Sequence, residues 1–367
     1  MSLPGYIHKS PPLPLRLRLR REALPFPFDS PQTHLTRNGR FAIREGLRAL
    51  GLPRGAKVLL PAWHCGSEAD AILAAGLQVS LYRLHQDLSA DLDDIRRQLA
   101  GGGFAAIYTI HYFGYPQPVA EMQRLAQQHN AMVIEDVALG LFSRAADGAP
   151  LGCQSDMSIF SLVKTLPLPN GGALWLCQPR PQALERLSVP PLRPALAGLK
   201  GVLRRSFSRS RTALQTTPPS PQLLEAWHPR AGIDSADMRG RISRVSRLLL
   251  RTSDATSFTA AHRANFEVLH QGVPQRSGMR PLMPYLPAGA CPAFFPLFTP
   301  DADRVHAALQ AEGIQSVRFW RQFHPAVDLS GHAEAQELKR SVLRLPVHPG
   351  LQPQDLQRIC EVLHRTI

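Results

Sequence analysis

Lysine is the scarce residue in this 367-residue chain: of 42 Lys and Arg residues only Lys9, Lys57, Lys164, Lys200 and Lys339 are lysines, which leaves 37 arginines. Arginine stays protonated in proteins, whereas a desolvated lysine can lose its proton and act as an amine nucleophile. Each lysine therefore raises a chemical question that an arginine does not. Cysteine is sparse as well. Cys65, Cys153, Cys177, Cys291 and Cys360 are odd in number, far apart and without a C-x-x-C pair, which argues against a disulfide framework or a structural zinc site. No apolar run approaches the roughly 20 residues of a membrane span. The arginines at 16, 18, 20 and 21 are followed by no apolar stretch of secretory type, so a cytoplasmic protein is expected. Acid is short too: 28 Asp and Glu leave a net charge of +14, which points to an anionic partner. The arginines lack interleaved aromatics, so a nucleic-acid reader is not expected.

What is present reads as an α/β protein. Residues 1–37 are basic and Pro-rich and read as an arm. From Asn38, helices and strands alternate: a helix opening at Asn38-Gly39-Arg40 and stopping at Gly51, a strand at Lys57–Leu60, a helix at Ser67–Ala75, a strand at Gln78–Tyr82, a helix at Asp91–Leu99, a buried strand at Ala105–Ile110, a helix at Glu121–His129 and a buried strand at Ala131–Glu135. Such alternation predicts a mostly parallel sheet with its ligands at the carboxyl ends of the strands. The polar residues gather at those ends: Pro61–Cys65, His111, Glu135-Asp136 and Lys164. Residues 187–232, rich in Pro, Arg and Ser, read as an insertion in a large domain spanning 38–270. Within it Ala195–Phe207 offers a short basic amphipathic helix of membrane-surface type, so peripheral membrane contact enters as a possibility beside a plain solvated loop. Met238–Leu269 reads as one long helix crossing between domains. Residues 271–367 read as a smaller α+β domain, with strands at Ala293–Thr299, Ser316–Trp320 and Val342–Leu345 and helices at Asp301–Ala311 and Pro353–His364.

Lys164 follows a β-rich apolar run and precedes a Pro-punctuated turn through Gly171-Gly172. Asp136 ends another strand 28 residues earlier. A deprotonatable amine at one strand end and a carboxylate at another is the pair pyridoxal 5′-phosphate (PLP) requires, the amine for its aldehyde and the carboxylate for its ring nitrogen. Backbone N–H groups at the start of the first helix, Gly39 and Arg40, suit its phosphate.

The ordered series Gly39–Ile43, Pro61–Ile72, His111-Tyr-Phe-Gly114, Val133–Asp136, Gly152–Asp156, Phe160-Ser161 with Lys164 and Gly171-Gly172, and Leu343–Pro349 resembles the DegT/DnrJ sugar-aminotransferase family. The resemblance covers roughly 38–177 and 290–365. It implies the PLP-dependent transferase fold of type I and a homodimer that moves an amino group, usually from glutamate, to a nucleotide-linked keto-sugar, in polysaccharide or secondary-metabolite synthesis. By position it makes Lys164 the catalytic and cofactor-bonding lysine and Asp136 the partner of the ring nitrogen. Gly39, Arg40 and Ser161 fall on the phosphate, His64 falls on the ring-stacking position with Trp63 as its rival, and His111 falls on a structural strand-end histidine. Three departures mark a divergent branch. Leu139 stands where Gln or His usually faces the phenolic oxygen, the run from Asp156 to Lys164 is two residues short, and the Asn-Tyr-Arg element is unrecognisable around Asp234–Arg241. An elimination enzyme on the same fold, or a non-catalytic basic surface-binding protein, are the alternatives.

Overall fold

The computed structural model describes residues 6–13, 24–178, 199–203 and 240–366. The predicted alternation forms a seven-stranded sheet. Its strands are β1 (Thr33–Thr36), β2 (Lys57–Pro61), β3 (Gln78–Tyr82), β4 (Phe104–Ile110), β5 (Met132–Asp136), β6 (Met157–Ser161) and β7 (Gly172–Leu176), in the order β1-β7-β6-β5-β4-β2-β3. Strands β2 to β6 run parallel with their neighbours, and β7 turns back antiparallel between β6 and β1. The helices α1 (Gly39–Leu50), α2 (Ser67–Ala74), α3 (Leu92–Ala100) and α4 (Val119–Gln128) supply the connections. Central β4 and β5 are apolar nearly throughout because a parallel sheet covered by helices is buried on both faces.

Asn38 begins α1 as expected, its side chain accepting from the Phe41 amide at 2.9 Å, and Gly51 ends it at φ 64°. Regular structure starts earlier than the sequence pattern predicted, at Thr33. The strand Thr33–Thr36 carries no apolar alternation of its own and is drawn into the sheet by pairing with β7, where Thr36 faces Gly172. Gly172 is the close-approach position of this edge. A Cβ there would lie 2.3 Å from the Asn38 carbonyl carbon and 2.6 Å from the Gly39 nitrogen, so only glycine lets the start of α1 rest on the strand.

The single helix expected over Met238–Leu269 is instead two, α5 (Arg244–Leu250) and α6 (Ala255–Gly272). Two local caps stop and restart the chain. Ser243 accepts from the Ser246 amide at 3.1 Å, and Asp254 accepts from the Ser257 amide at 3.2 Å. The insertion and the proposed basic helix at Ala195–Phe207 lie mostly outside the described residues, of which 199–203 are helical, with Val202 packed in the same apolar cluster as Ile242, Leu249 and Leu250.

A second sheet holds β8 (Arg280–Pro281), β9 (Phe295–Phe298), β10 (Val317–Arg318) and β11 (Val342–Leu345), all antiparallel in the order β10-β11-β9-β8. Around it pack α7 (Ala302–Ala311), α8 (Ala333–Ser341) and α9 (Pro353–Arg365). The sequence pattern gives no sign of α8, which is polar and has no full apolar stripe to betray its period. Part of the arm lies on this unit, since Ile7 bridges to Ile314 and His348 Nε2 meets the His8 carbonyl at 2.8 Å, whereas Leu13 packs beside Val137 and Phe160 of the large sheet. The two sheets share a core through Trp63, Tyr112, Phe113, Phe294, Phe298 and Phe319.

No helix among the described residues is long and apolar enough to cross a membrane. All five cysteines are free thiols.

Candidate active site

The carboxyl ends of β2, β4, β5 and β6 converge on one edge of the large sheet. Glu135 and Asp136 are consecutive at the end of β5, so the strand period sends them to opposite faces. Glu135 turns to His111, whose Nε2 lies 2.8 Å from Glu135 Oε2. His111 Nδ1 accepts from the Gln117 amide at 3.1 Å, which assigns the ring proton to Nε2 and makes His111 the donor to Glu135. Burial alone would raise the Glu135 carboxyl, yet the hydrogen bond from His111, with bonds from Ser155 and Gly152, holds it below the usual range. This pair braces the strand end, the structural role expected of His111.

Asp136 faces the other way, toward Lys164. Tyr108, on β4, donates to Asp136 Oδ2 at 2.7 Å, and the Ala138 amide donates to Oδ1 at 2.9 Å. Both carboxylate oxygens are thus oriented. Burial raises the Asp136 pKa; the Lys164 charge and the Tyr108 and Ala138 bonds oppose it. Lys164 closes a short 3-10 turn, Leu162–Lys164, that follows β6. Its surface is half-buried, and among the described residues its amine makes no hydrogen bond or ion pair shorter than 4 Å. Burial lowers its proton affinity. The fields of Cys65, Asp136 and Glu68 partly restore it, and that of Arg344, on β11, lowers it further.

Those neighbours include residues that the sequence pattern does not single out. Cys65 Sγ lies 3.2 and 3.1 Å from the two Glu68 carboxylate oxygens. Burial first, then the Glu68 charge, pushes the Cys65 thiol up to about 12. Glu68 itself is raised by burial and by the nearby Asp136 carboxylate. The site therefore gathers two buried carboxylates, a thiol and an amine. Nothing in local sequence announces this group, because Cys65 and Glu68 meet Lys164 only through the sheet.

The other predicted residues fall as follows. A Cβ on Gly39 would sit 3.5 Å from Ser161 Cβ, so the start of α1 and the end of β6 face each other, and Arg40 follows in the first helical turn. His64 is buried. Its Nδ1 accepts from the Gly66 amide at 3.0 Å, Nε2 has no hydrogen-bond partner, and burial with the Lys339 and His324 charges holds it neutral, well below its ordinary pKa. Its rival Trp63 is sealed in the aromatic core, with ring centroids 5.2 Å from Tyr112 and 5.1 Å from Trp320. Cys65, one residue on, is a side chain of this loop that lies near Lys164. Leu139 is fully buried in the core and offers no polar group.

This donor set fits PLP. A half-buried amine without hydrogen bonds can meet an aldehyde, an oriented carboxylate can pair with a ring nitrogen, and the Gly39 amide with the Ser161 hydroxyl can hold a phosphate. Among the described residues no group of three or more His, Cys, Asp or Glu is placed to hold a metal ion.

The chain is similar to known sugar aminotransferases. The chain is 25% identical over 346 residues, 90% of this chain and 83% of the relative, to the UDP-N-acetyl-3-dehydro-alpha-D-glucosamine 3-aminotransferase of Acidithiobacillus ferrooxidans. Its fold is shared with S. venezuelae DesV, at a TM-score of 0.66 and 19% identity over 91% of this chain and 84% of DesV. It is shared also with NtdA of Bacillus subtilis, solved with the cofactor PMP bound, at a TM-score of 0.62 and 16% identity over 91% of this chain and 73% of NtdA. Residues 33–186, the stretch that carries Gly39, Asp136, Ser161 and Lys164, match the model of the DegT/DnrJ/EryC1/StrS aminotransferase family.

Proposed function

We propose that this chain is a PLP-dependent aminotransferase that passes an amino group, with glutamate as donor, to a keto-sugar or sugar-like ketone, working as a cytoplasmic homodimer. The observation that carries the reading is Lys164: a half-buried amine of lowered proton affinity, without a hydrogen bond, facing an oriented carboxylate. The sugar substrate is supported by the relative from Acidithiobacillus ferrooxidans, whose name specifies a nucleotide-linked amino-sugar precursor.

Bound PLP supplies an electrophilic carbon and an electron-withdrawing ring. The chain's residues do the rest. Lys164 Nζ, with its proton affinity lowered by burial, takes a proton from the substrate carbon and returns it, the role of a general base and acid tuned toward neutral pH. Asp136 holds its negative charge through the Tyr108 and Ala138 bonds and so keeps a proton on whatever nitrogen it faces. Gly39 and Ser161, with Arg40, bind the phosphate.

Purified protein incubated with PLP should turn yellow, and borohydride should fix the cofactor to the peptide containing Lys164. A colourless protein, or label on another lysine, overturns the reading. An elimination enzyme is the second reading, favoured by the burial of Leu139, which leaves the position usually held by Gln or His without a hydrogen-bonding side chain. Spectral titration separates the two. Glutamate should convert the cofactor to its amine form in an aminotransferase, and no amino acid should do so in an eliminating enzyme.

A further inference from the structure

The small sheet sorts its side chains by strand period. On β11, Leu343 and Leu345 enter the core of the smaller unit with Phe295 and Leu297 of β9, whereas Val342 joins the core that the two sheets share, with Phe298 of β9 and the preceding Phe294. Arg344 stands two residues beyond Val342, so the pleat turns it to that same shared face, where it is half-buried. Aromatic rings hold the cation among these apolar groups. Its guanidinium carbon lies 4.2 Å from the centre of the Phe294 ring and 6.0 Å from that of Phe319. Such a contact uses the flat face of the guanidinium and does not consume the N–H donors on its rim.

This face meets the site beyond the end of β5. The Ala293 amide, one residue before Phe294, donates to the Leu139 carbonyl at 3.0 Å, and Leu139 follows Asp136 by three residues. The aromatic support of Arg344 is thereby joined to the strand that presents Asp136. The field of Arg344 reaches the Lys164 amine beside those of the Asp136 and Glu68 carboxylates. An amino acid that reacts there carries a carboxylate one bond from its reacting carbon. Asp136 and Glu68 repel that carboxylate, and the side chains of Leu139, Phe294 and Phe319 offer it no hydrogen bond. A guanidinium answers both problems, because its fork takes a carboxylate through two parallel hydrogen bonds and attracts it more strongly where water is excluded.

We propose that Arg344 binds the carboxylate beside the reacting carbon of the amino-acid donor, and so sets a preference for amino acids over uncharged amines at Lys164. The inference rests on the PLP reading above and adds to it the residue that recognises the donor. Phe294 fixes the plane of the fork, and β11 fixes its distance from the large sheet.

The test uses the full chain loaded with PLP and two reagents, aminooxyacetate and methoxyamine. Each forms a carbon–nitrogen double bond to the cofactor carbon as the Lys164 amine leaves, which changes the yellow absorbance, and only aminooxyacetate carries a carboxylate. Relative to their rates with free PLP, aminooxyacetate should react about ten- to a hundredfold faster than methoxyamine in the wild type, the range of a charge-assisted hydrogen bond. Arg344→Gln should bring the two rates level and slow conversion of the cofactor by L-glutamate by the same factor. Arg344→Lys, which keeps the charge without the fork, should give an intermediate ratio. Arg280→Gln removes another ring-stacked arginine of the same sheet and should leave the ratio unchanged. Glutarate, which has no amine, should compete with aminooxyacetate in the wild type at constant ionic strength, an arm that needs no variant should Arg344→Gln fail to fold. The proposal is overturned if the ratio survives Arg344→Gln, if both reagents slow equally, if the glutamate rate is unaltered or if glutarate does not compete. A protein that takes up no PLP fails at the reading of Lys164, whereas a yellow protein fixed by borohydride at Lys164 but indifferent to the carboxylate fails on Arg344 alone.

Discussion

Lys339 offers the sharpest physical test of the site's framework. It is 1% exposed, and its ammonium donates to three carbonyls: His64 at 2.9 Å, Trp320 at 3.1 Å and Gln322 at 3.1 Å. It thereby ties the loop that presents Cys65 to the segment between β10 and α8. Its charge is nonetheless costly, since burial lowers its pKa from 10.5 to about 8, against the opposing fields of Cys65 and Glu68. The unfolded chain keeps this proton up to about pH 10.4, while the folded protein sheds it near 8. Between those limits the unfolded state binds more protons, so stability must rise with pH. From pH 7.5 to 10 the gain from this one group is about 2 kcal/mol, because a tenfold difference in proton affinity between the two states corresponds to about 1.4 kcal/mol. Urea denaturation of the wild type and of Lys339→Met at both pH values isolates it, because every other titrating group is common to the two proteins. The wild type should gain about 2 kcal/mol more than the variant over this interval. Equal pH dependence in the two proteins would refute the assignment of Lys339 as a buried, charged tether.

Gly172→Ala should destabilise the protein by several kcal/mol, on the order of a severe overpacking change, and weaken PLP uptake, because its Cβ would meet the Asn38-Gly39 backbone at 2.3–2.6 Å; unchanged thermal stability and cofactor affinity would show that the edge can move. Glu68→Gln removes a charge that raises the Cys65 thiol, so iodoacetamide labelling of Cys65 in the cofactor-free protein should accelerate, about tenfold for a thiol whose proton affinity falls tenfold. Mass spectrometry at the other four cysteines provides the control, and an unaltered Cys65 rate would separate Glu68 from the thiol. Lys164→Arg should abolish borohydride fixation and cut turnover by about 10²-fold or more, since arginine keeps its proton; fixation that survives would move the reacting amine elsewhere.

Local chemistry made much of the fold readable. Apolar runs of strand length separated by short helical periods could bury themselves only as a covered parallel sheet, and Asn38 with Gly51 bounded α1 through capping preferences that act within a few residues. The errors have equally local causes. The sequence pattern carried an apolar stripe straight through Met238–Leu269, and the Ser243 and Asp254 caps, invisible to periodicity, divided it. Thr33–Thr36 became a strand because β7 needed a partner at its free edge, which no feature of those four residues states.

At the site the division is similar. The sequence by itself determined the chemistry of single residues: one lysine where arginine was the rule, a carboxylate at a strand end, glycines where backbone must approach. The tertiary structure decided which groups share a field. Glu135 and Asp136 are neighbours in the chain yet serve opposite faces, one bound to His111 and the other turned to Lys164. Cys65 and Glu68 belong to the lysine's surroundings although they precede it by 99 and 96 residues, and Lys339 reaches His64 across 275 residues. Side-chain direction follows from local period, but burial and Coulomb interaction depend on distance in space, and those distances exist only once the sheet has brought its strand ends together.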